Sequence, residues 1–244
     1  MTELAFPGRA APVFYTAETD STNTRLKALA ATAADGTVIA AGRQTGGRGR
    51  LGRSFASPDG GVYFSMLLAP GMEPERCLTV TPTMAVAVRR AIKNACGAEA
   101  DIKWPNDLQL GGKKLCGILT EATAAGGGTK LIVGIGINLN TAREDFPPEL
   151  RDTACSVLSA TGRRTPPEAL IRELVSSLDE TYARWLADPR CAWDEYRAAC
   201  VTLGRRVRRG EVCGVAADID GDYALIIKNG ESSIRVTSGE ILDA

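Results

Sequence analysis

Between Gly42 and Phe55 the chain reads G-R-Q-T-G-G-R-G-R-L-G-R-S-F, with arginines at 43, 48, 50 and 53 and no acidic residue among them. Each guanidinium presents a planar fork that matches phosphate or carboxylate oxygens. The glycines at 42, 46, 47, 49 and 52 allow backbone N–H groups to approach a ligand. The chemistry on offer is anion binding. By composition alone a solvated surface loop explains the stretch as well, although dense glycine raises the entropy lost on ordering. The chain contains no histidine. That removes Ser-His-Asp and Cys-His nucleophilic catalysis, H-E-x-x-H zinc sites and imidazole acid–base work. Any reaction must run on lysine, arginine, aspartate, backbone amides and a metal ion that arrives with a substrate.

Elements on either side must hold this loop. Pro12–Thr16 is a β-prone run, followed by D-S-T-N-T-R-L-K-A-L-A-A, where Asp20 or Ser21 is a good N-cap and Leu26, Leu29, Ala30 and Ala33 share one helical face. Ser21, Thr22 and Asn23 stand at that helix start, where capping alone would account for them. A strand over 38–41 delivers the chain into the arginine loop, and a strand over 62–68 leaves it. Residues 77–96 read as a long amphipathic helix with Leu78, Met84, Val88, Ala91 and Ile92 near helical spacing and Pro82 in its first turn. Two β-prone runs, 102–110 and 113–121, flank Gly111-Gly112 as a hairpin, and an apolar strand over 131–139 carries Gly134 and Gly136. A second long helix starts at Pro166 with Leu170, Leu174, Leu178, Tyr182 and Trp185 as its packing stripe. A connector from Pro189 leads to short alternating strands over 201–242, a small all-β module whose arginines at 205, 206, 208 and 209 read as solvated.

Composition sets the outer limits. With 244 residues, 44% of them hydrophobic, the chain can bury one large core or a large and a small one. The 29 basic and 29 acidic residues cancel, so attraction to nucleic acid or an anionic membrane must be local if it exists. Seven cysteines without a C-x-x-C pair read as reduced core thiols; Cys116 as a nucleophile lacks a histidine to activate it. No apolar run approaches the roughly 20 residues that span a bilayer, nor does the N-terminus read as a signal peptide, so a soluble cytoplasmic protein is expected.

Four pieces then line up in order: D-S-T-N at 20–23, Q-T-G-G-R-G-R-L-G-R at 44–53, K-W-P-N-D at 103–107 with K-L-C-G-I-L at 114–119, and G-I-G-I-N at 134–138. With the terminal S-G-E-I at 238–241, this ordered set resembles the biotin protein ligases, the biotin–[acetyl-CoA-carboxylase] ligase family. The resemblance implies an α+β fold: a class II synthetase-like catalytic domain (1–197) with a mixed sheet flanked by helices, and a small SH3-like β-barrel (198–244). It implies ATP-dependent formation of biotinyl-5′-AMP and transfer to one lysine of a biotin carboxyl carrier protein, with ATP and Mg²⁺ required, biotin as substrate, and no metal site fixed by the protein. By the same resemblance Lys114, Arg48, Arg50 and Asp107 are the catalytic candidates. Ser21, Thr22, Asn23, Gln44, Gly47, Gly49 and Gly117, with Arg48, Arg50 and Lys114, are biotin contacts, and Arg53, Lys103, Asn106 and Asn138 join Arg48, Arg50 and Lys114 at ATP. Asp107 either receives the acceptor lysine's proton or fixes the turn, and Trp104 is expected in the core. Two features depart from many relatives: Gly46 stands where alanine is common, and the catalytic pattern begins almost at Met1, leaving no room for an N-terminal winged helix. No DNA binding is therefore expected, nor membrane association, and a monomer or weak homodimer is. A lipoate or octanoate ligase shares the fold logic, and a non-catalytic RNA- or nucleotide-binding module is the alternative from another class; 5% aromatic residues weigh against base stacking.

Overall fold

A computed structural model describes residues 1–73 and 75–243. Eight strands form one mixed sheet: β1 (Thr2–Leu4), β2 (Val13–Thr19), β3 (Val38–Gln44), β4 (Val62–Leu68), β5 (Asp101–Lys103), β6 (Asp107–Leu110), β7 (Lys113–Ala125) and β8 (Gly128–Ile137). Their spatial order is β1-β2-β3-β4-β8-β7-β6-β5. Strands β2 and β3 run parallel, linked through helix α1 (Thr22–Leu29); the other neighbours are antiparallel.

Side-chain alternation divides this sheet into two different faces. Val38 and Ala40 of β3, Val62, Phe64 and Met66 of β4, and Leu131, Val133, Ile135 and Ile137 of β8 point into the main core. That core is completed by α2 (Val80–Cys96) and α4 (Pro167–Ala187). The intervening residues Ile39, Leu67 and Ile132 point the other way, against Leu26 of α1 and Ala30 at its C-cap. β4 is buried at all seven positions because it is covered on both sides, which is why V-Y-F-S-M-L-L shows no polar alternation. Helix α1 spans only part of its face. The uncovered remainder carries Gly117, Gly134 and Gly136 and becomes the floor of a cleft.

After α3 (Val157–Thr161) and α4 comes α5 (Trp193–Ala199), then an antiparallel five-stranded sheet in the order β12-β11-β10-β9-β13. Its strands are β9 (Arg206–Arg209), β10 (Val212–Ile219), β11 (Leu225–Asn229), β12 (Ser232–Val236) and β13 (Leu242–Asp243). This is the expected small β module. Its apolar face shares the main core, with Tyr223 packed edge-on to Tyr196 of α5 and accepting the Trp104 indole N–H at its carbonyl. Trp185 is fully buried in α4 and donates Nε1–H to Thr79 at 2.8 Å. Trp185→Ala is expected to lower the unfolding free energy by about 3–5 kcal/mol, read by urea denaturation; a loss near zero would show that α4 is not an integral part of this core.

Four local expectations change. Helix α1 stops at Leu29, a turn earlier than the apolar spacing implied, and Leu29 is exposed. The run 102–110 is two strands, not one, folded on each other at Trp104-Pro105-Asn106 so that Lys103 faces Asp107; Pro105 has no N–H to donate to a ladder. Residues 76–79 form a 3₁₀ turn before α2, which takes Leu78 off the apolar face and leaves it 73% exposed. The connector after Pro189 contains α5, whose short W-D-E-Y-R-A-A pattern is too brief for periodicity to reveal. Five of the seven cysteines are buried and all are free. No helix among the described residues is long and apolar enough to cross a membrane.

Candidate active site

The glycine–arginine stretch folds as a small hairpin rising over the cleft. Phe55 N–H donates to Gly47 O at 2.9 Å, Gly49 N–H donates to Arg53 O at 2.7 Å, and Arg48 bridges Ser54. The tip is Arg50-Leu51-Gly52, where Leu51 is left-handed (φ 57°, ψ 32°) and 76% exposed. A leucine there costs roughly 1–3 kcal/mol relative to a relaxed backbone, a burden typical of functional loops. Phe55 closes the base of the hairpin. Its ring lies over Gly117 and Gly136, which face each other across β7 and β8, and a Cβ on Gly136 would stand 2.5 Å from it. A Cβ on Gly134 would collide with the Asn23 side chain. Glycine is required at these places because another side chain occupies the volume.

The cleft between hairpin and sheet encloses about 200 Å³. One end is a polar row. Ser21 caps α1 by accepting from Thr24 N–H, and its own proton remains available. Gln44 Oε1 accepts from both the N–H (2.8 Å) and the hydroxyl (3.1 Å) of Thr22, while its amide nitrogen donates to Ser57. Asn23 donates to Glu121 at 2.9 Å, and its oxygen lies 2.6 Å from Ser65 Oγ, which also sits 2.7 Å from Thr22 Oγ1. Two hydroxyl protons serve these three oxygen–oxygen contacts, so the row is one proton short and suited to an incoming ligand N–H.

The other end is cationic. Arg48, Arg50, Arg53, Lys103 and Lys114 line the cleft against the carboxylates Asp107 and Glu240, a local surplus of three positive charges on a chain that is neutral overall. Lys114 Nζ donates to Asp107 Oδ2 at 2.7 Å and stands 5.8 Å from the Phe55 ring centroid. Asp107 Oδ1 is buried and finds no partner among the described residues. Arg50 donates to Asn106 Oδ1 at 2.6 Å and to Gly239 O at 2.9 Å; Arg53 grips Glu240 with two bonds of 2.8 and 2.6 Å. That hydrogen bonding holds the Glu240 carboxyl below its usual range and raises the Arg53 guanidinium. Arg48 lies 3.6 Å from Glu121. Cys116, beneath this end, has its thiol pushed well up by burial and secondarily by the Asp107 charge, so it supplies no thiolate. The arrangement can orient a polar group at one end and neutralise an anion at the other.

Among the residues singled out from sequence, Ser21, Thr22, Asn23, Gln44, Arg48, Gly49, Arg50, Arg53, Lys103, Asn106, Asp107, Lys114 and Gly117 all border this cleft. Gly47 does not; it hydrogen-bonds Phe55 at the hairpin base. Asn138 is buried behind β8 with its amide donating to Cys155 O at 3.0 Å. Trp104 is buried as expected, though its edge reaches the wall. Sequence reasoning overlooked Phe55, Ser65, Glu121 and Glu240. Ser65 carried a readable signal: a lone hydroxyl inside the apolar run V-Y-F-S-M-L-L, fully buried. Glu240 lies within the S-G-E-I segment, but nothing local in the sequence pointed to its partner Arg53, 187 positions away. Among the described residues no three His, Cys, Asp or Glu side chains converge to hold a metal.

Comparison with known proteins adds to this geometry. Residues 15–138 match the model of the biotin/lipoate A/B protein ligase family. The chain is 35% identical over 216 residues to the bifunctional ligase/repressor BirA of Bacillus subtilis, covering 86% of this chain but only 66% of that protein. It is 32% identical to the biotin–[acetyl-CoA-carboxylase] ligase of Paracoccus denitrificans, covering 92% of this chain and 98% of the relative. Its fold superposes on the biotin protein ligase from Aquifex aeolicus in complex with biotin and ATP with a TM-score of 0.83 at 30% identity, covering 94% and 97% of the two chains.

Proposed function

Since this chain belongs to the biotin/lipoate A/B protein ligase family, we propose that it attaches biotin, through biotinyl-5′-AMP, to a lysine of a biotin carboxyl carrier protein such as that of acetyl-CoA carboxylase. The observation that carries the reading is the two-ended cleft, with a polar row at Ser21, Thr22 and Gln44 beside which Arg48 meets Glu121, and with Arg50, Arg53 and Lys114 grouped at Asn106, Glu240 and Asp107. A ureido ring needs the first end, and a carboxylate meeting a nucleotide phosphate needs the second. Residues 1–197 are taken as the catalytic unit and 198–244 as the module that lends Gly239 and Glu240 to its wall.

The biotin carboxylate is ionised at neutral pH and attacks the α-phosphorus without a base, and pyrophosphate leaves. Lys114, Arg48 and Arg50 neutralise charge that builds on the phosphoryl oxygens. Mg²⁺ brought in with the nucleotide would supply further charge neutralisation there. In the second half-reaction the lysine amine attacks the acyl carbon, AMP leaves, and one proton must be lost. Asp107, the carboxylate that borders the cleft beside Lys114, is the group to take it or to steer the ammonium. Asn138 is not carried forward as an adenine contact: its amide donates to Cys155 O, its backbone N–H to Leu115 O, and its carbonyl accepts from Val157 N–H.

The direct test is intact mass of a biotin-acceptor domain after incubation with the chain, biotin, ATP and Mg²⁺; no gain of one biotinyl group refutes the proposal. The family also takes in lipoate ligases, so lipoate should fail to drive the ATP/pyrophosphate exchange that biotin drives. Gly136→Ala displaces the Phe55 ring and with it the hairpin base. It is expected to raise the biotin KM or lower exchange by about 10- to 100-fold; values within twofold of the parent would remove this floor from the substrate site.

A further inference from the structure

Glu121 does not line the cleft, yet it touches side chains that do. From β7 its Oε2 accepts from Asn23 Nδ2 at 2.9 Å, while its Oε1 lies 3.6 Å from Arg48 and 3.9 Å from Lys27. An amide has one donating and one accepting end, and its partners decide which way it points. Both groups that meet Asn23 Nδ2, the Glu121 carboxylate and the Leu119 carbonyl, can only accept. Asn23 Oδ1 is therefore turned to Ser65, through space that Gly134 leaves free of a Cβ. That oxygen cannot donate. The Ser65 proton goes to Asn23 Oδ1 at 2.6 Å, the Thr22 proton goes to Gln44 Oε1 at 3.1 Å, and Thr22 Oγ1 receives no proton from the described residues.

We infer that Glu121 is a positioning residue for substrate selection: by holding the Asn23 amide in this sense it keeps Thr22 Oγ1 an open acceptor, so the site selects a ligand that brings an N–H, as a ureido ring does. The opposite sense of the amide would set an N–H donor against Ser65 Oγ. Ser65 would then donate to Thr22 Oγ1 and Thr22 to Gln44, and the row would be closed to a ligand donor. Thr22, Asn23 and Ser65 are each no more than 5% exposed, so bulk water is a poor substitute partner and the sense of the amide carries energetic weight. The charge on Glu121 decides it. A carboxylate has no donating end, whichever oxygen faces Arg48 and Lys27.

This selection rests on the ligase reading, and the test separates the two. In Glu121→Gln the cations Arg48 and Lys27 keep the amide oxygen, the amide nitrogen turns to Asn23, and the Asn23 amide reverses. The probes are biotin and its two cyclic carbamate analogues, in which one ureido N–H is replaced by a ring oxygen, compared through kcat/KM for ATP/pyrophosphate exchange. The parent should prefer biotin to at least one analogue by about 100-fold or more, because a site built around a hydrogen bond rejects a ligand that lacks it, and Glu121→Gln should lower that preference by about tenfold or more. The swapped pair, Asn23→Asp with Glu121→Gln, again gives position 23 an oxygen towards Ser65 and a donor behind it, so the preference should return. A merely structural Glu121 would lower the rates with biotin and carbamate by the same factor; that result overturns the inference, as does a swapped pair that fails to restore the preference. A parent that uses both carbamates as well as biotin overturns it while leaving the ligase reading intact. Absence of biotin-driven exchange in the parent overturns both.

Discussion

Lys114→Ala is expected to lower biotin-dependent ATP/pyrophosphate exchange by about 10²–10³-fold, the usual cost of losing one charge-stabilising donor. Its ammonium is held by two neighbours: Asp107, which accepts from it at 2.7 Å, and the face of Phe55 at 5.8 Å. Its Cε and Nζ also lie near the space above Gly117, so a longer residue there would push it away. Position is therefore set by the protein before substrate arrives, which is the condition under which a charge lowers a barrier. Lys114→Arg should recover only part of the rate, because a planar fork cannot occupy the same point. An exchange rate in Lys114→Ala equal to that of the parent would take this lysine out of the mechanism.

Asp107→Asn is expected to divide the two half-reactions. Transfer from preformed biotinyl-AMP to the acceptor lysine should fall about 10²–10⁴-fold, the range for a positioned base, while exchange falls less. The asymmetry follows from the chemistry: only transfer must shed a proton, and Asp107 is the carboxylate bonded to Lys114 at the wall of the cleft. An amide keeps the shape and an oxygen acceptor but cannot receive a proton. A purely structural role would instead lower both half-reactions in proportion, through the loss of order in Lys114. Transfer at the parental rate would refute the base assignment. Single-turnover transfer measured against pH supplies a second check, since the variant should lose the limb that reports deprotonation of the reacting pair.

Local sequence determined a good deal about this chain. The capping pattern at Ser21, the seven-residue apolar run of β4, the glycine turn between β6 and β7 and the stripe of α4 are written in nearest-neighbour terms: side-chain period, turn chemistry and cap preference. The absence of histidine and the arginine cluster likewise restrict the chemistry to anion binding and charge neutralisation. Tertiary structure decided what those residues face. Whether Gly117, Gly134 and Gly136 mark a bulge or a floor depended on Phe55 and Asn23 arriving from elsewhere in the chain. Leu78 looked like a core residue because the period of 3.6 was extended through a turn that has a period of three. Asn138 has the side chain for a base contact, yet just past the end of β8 that side chain turns inward to Cys155. Arg53 met Glu240, and Arg50 met Gly239, across almost the whole length of the chain. Periodicity reports the face on which a side chain sits; only packing of the whole sheet against α1, the hairpin and the β module determines what that face meets.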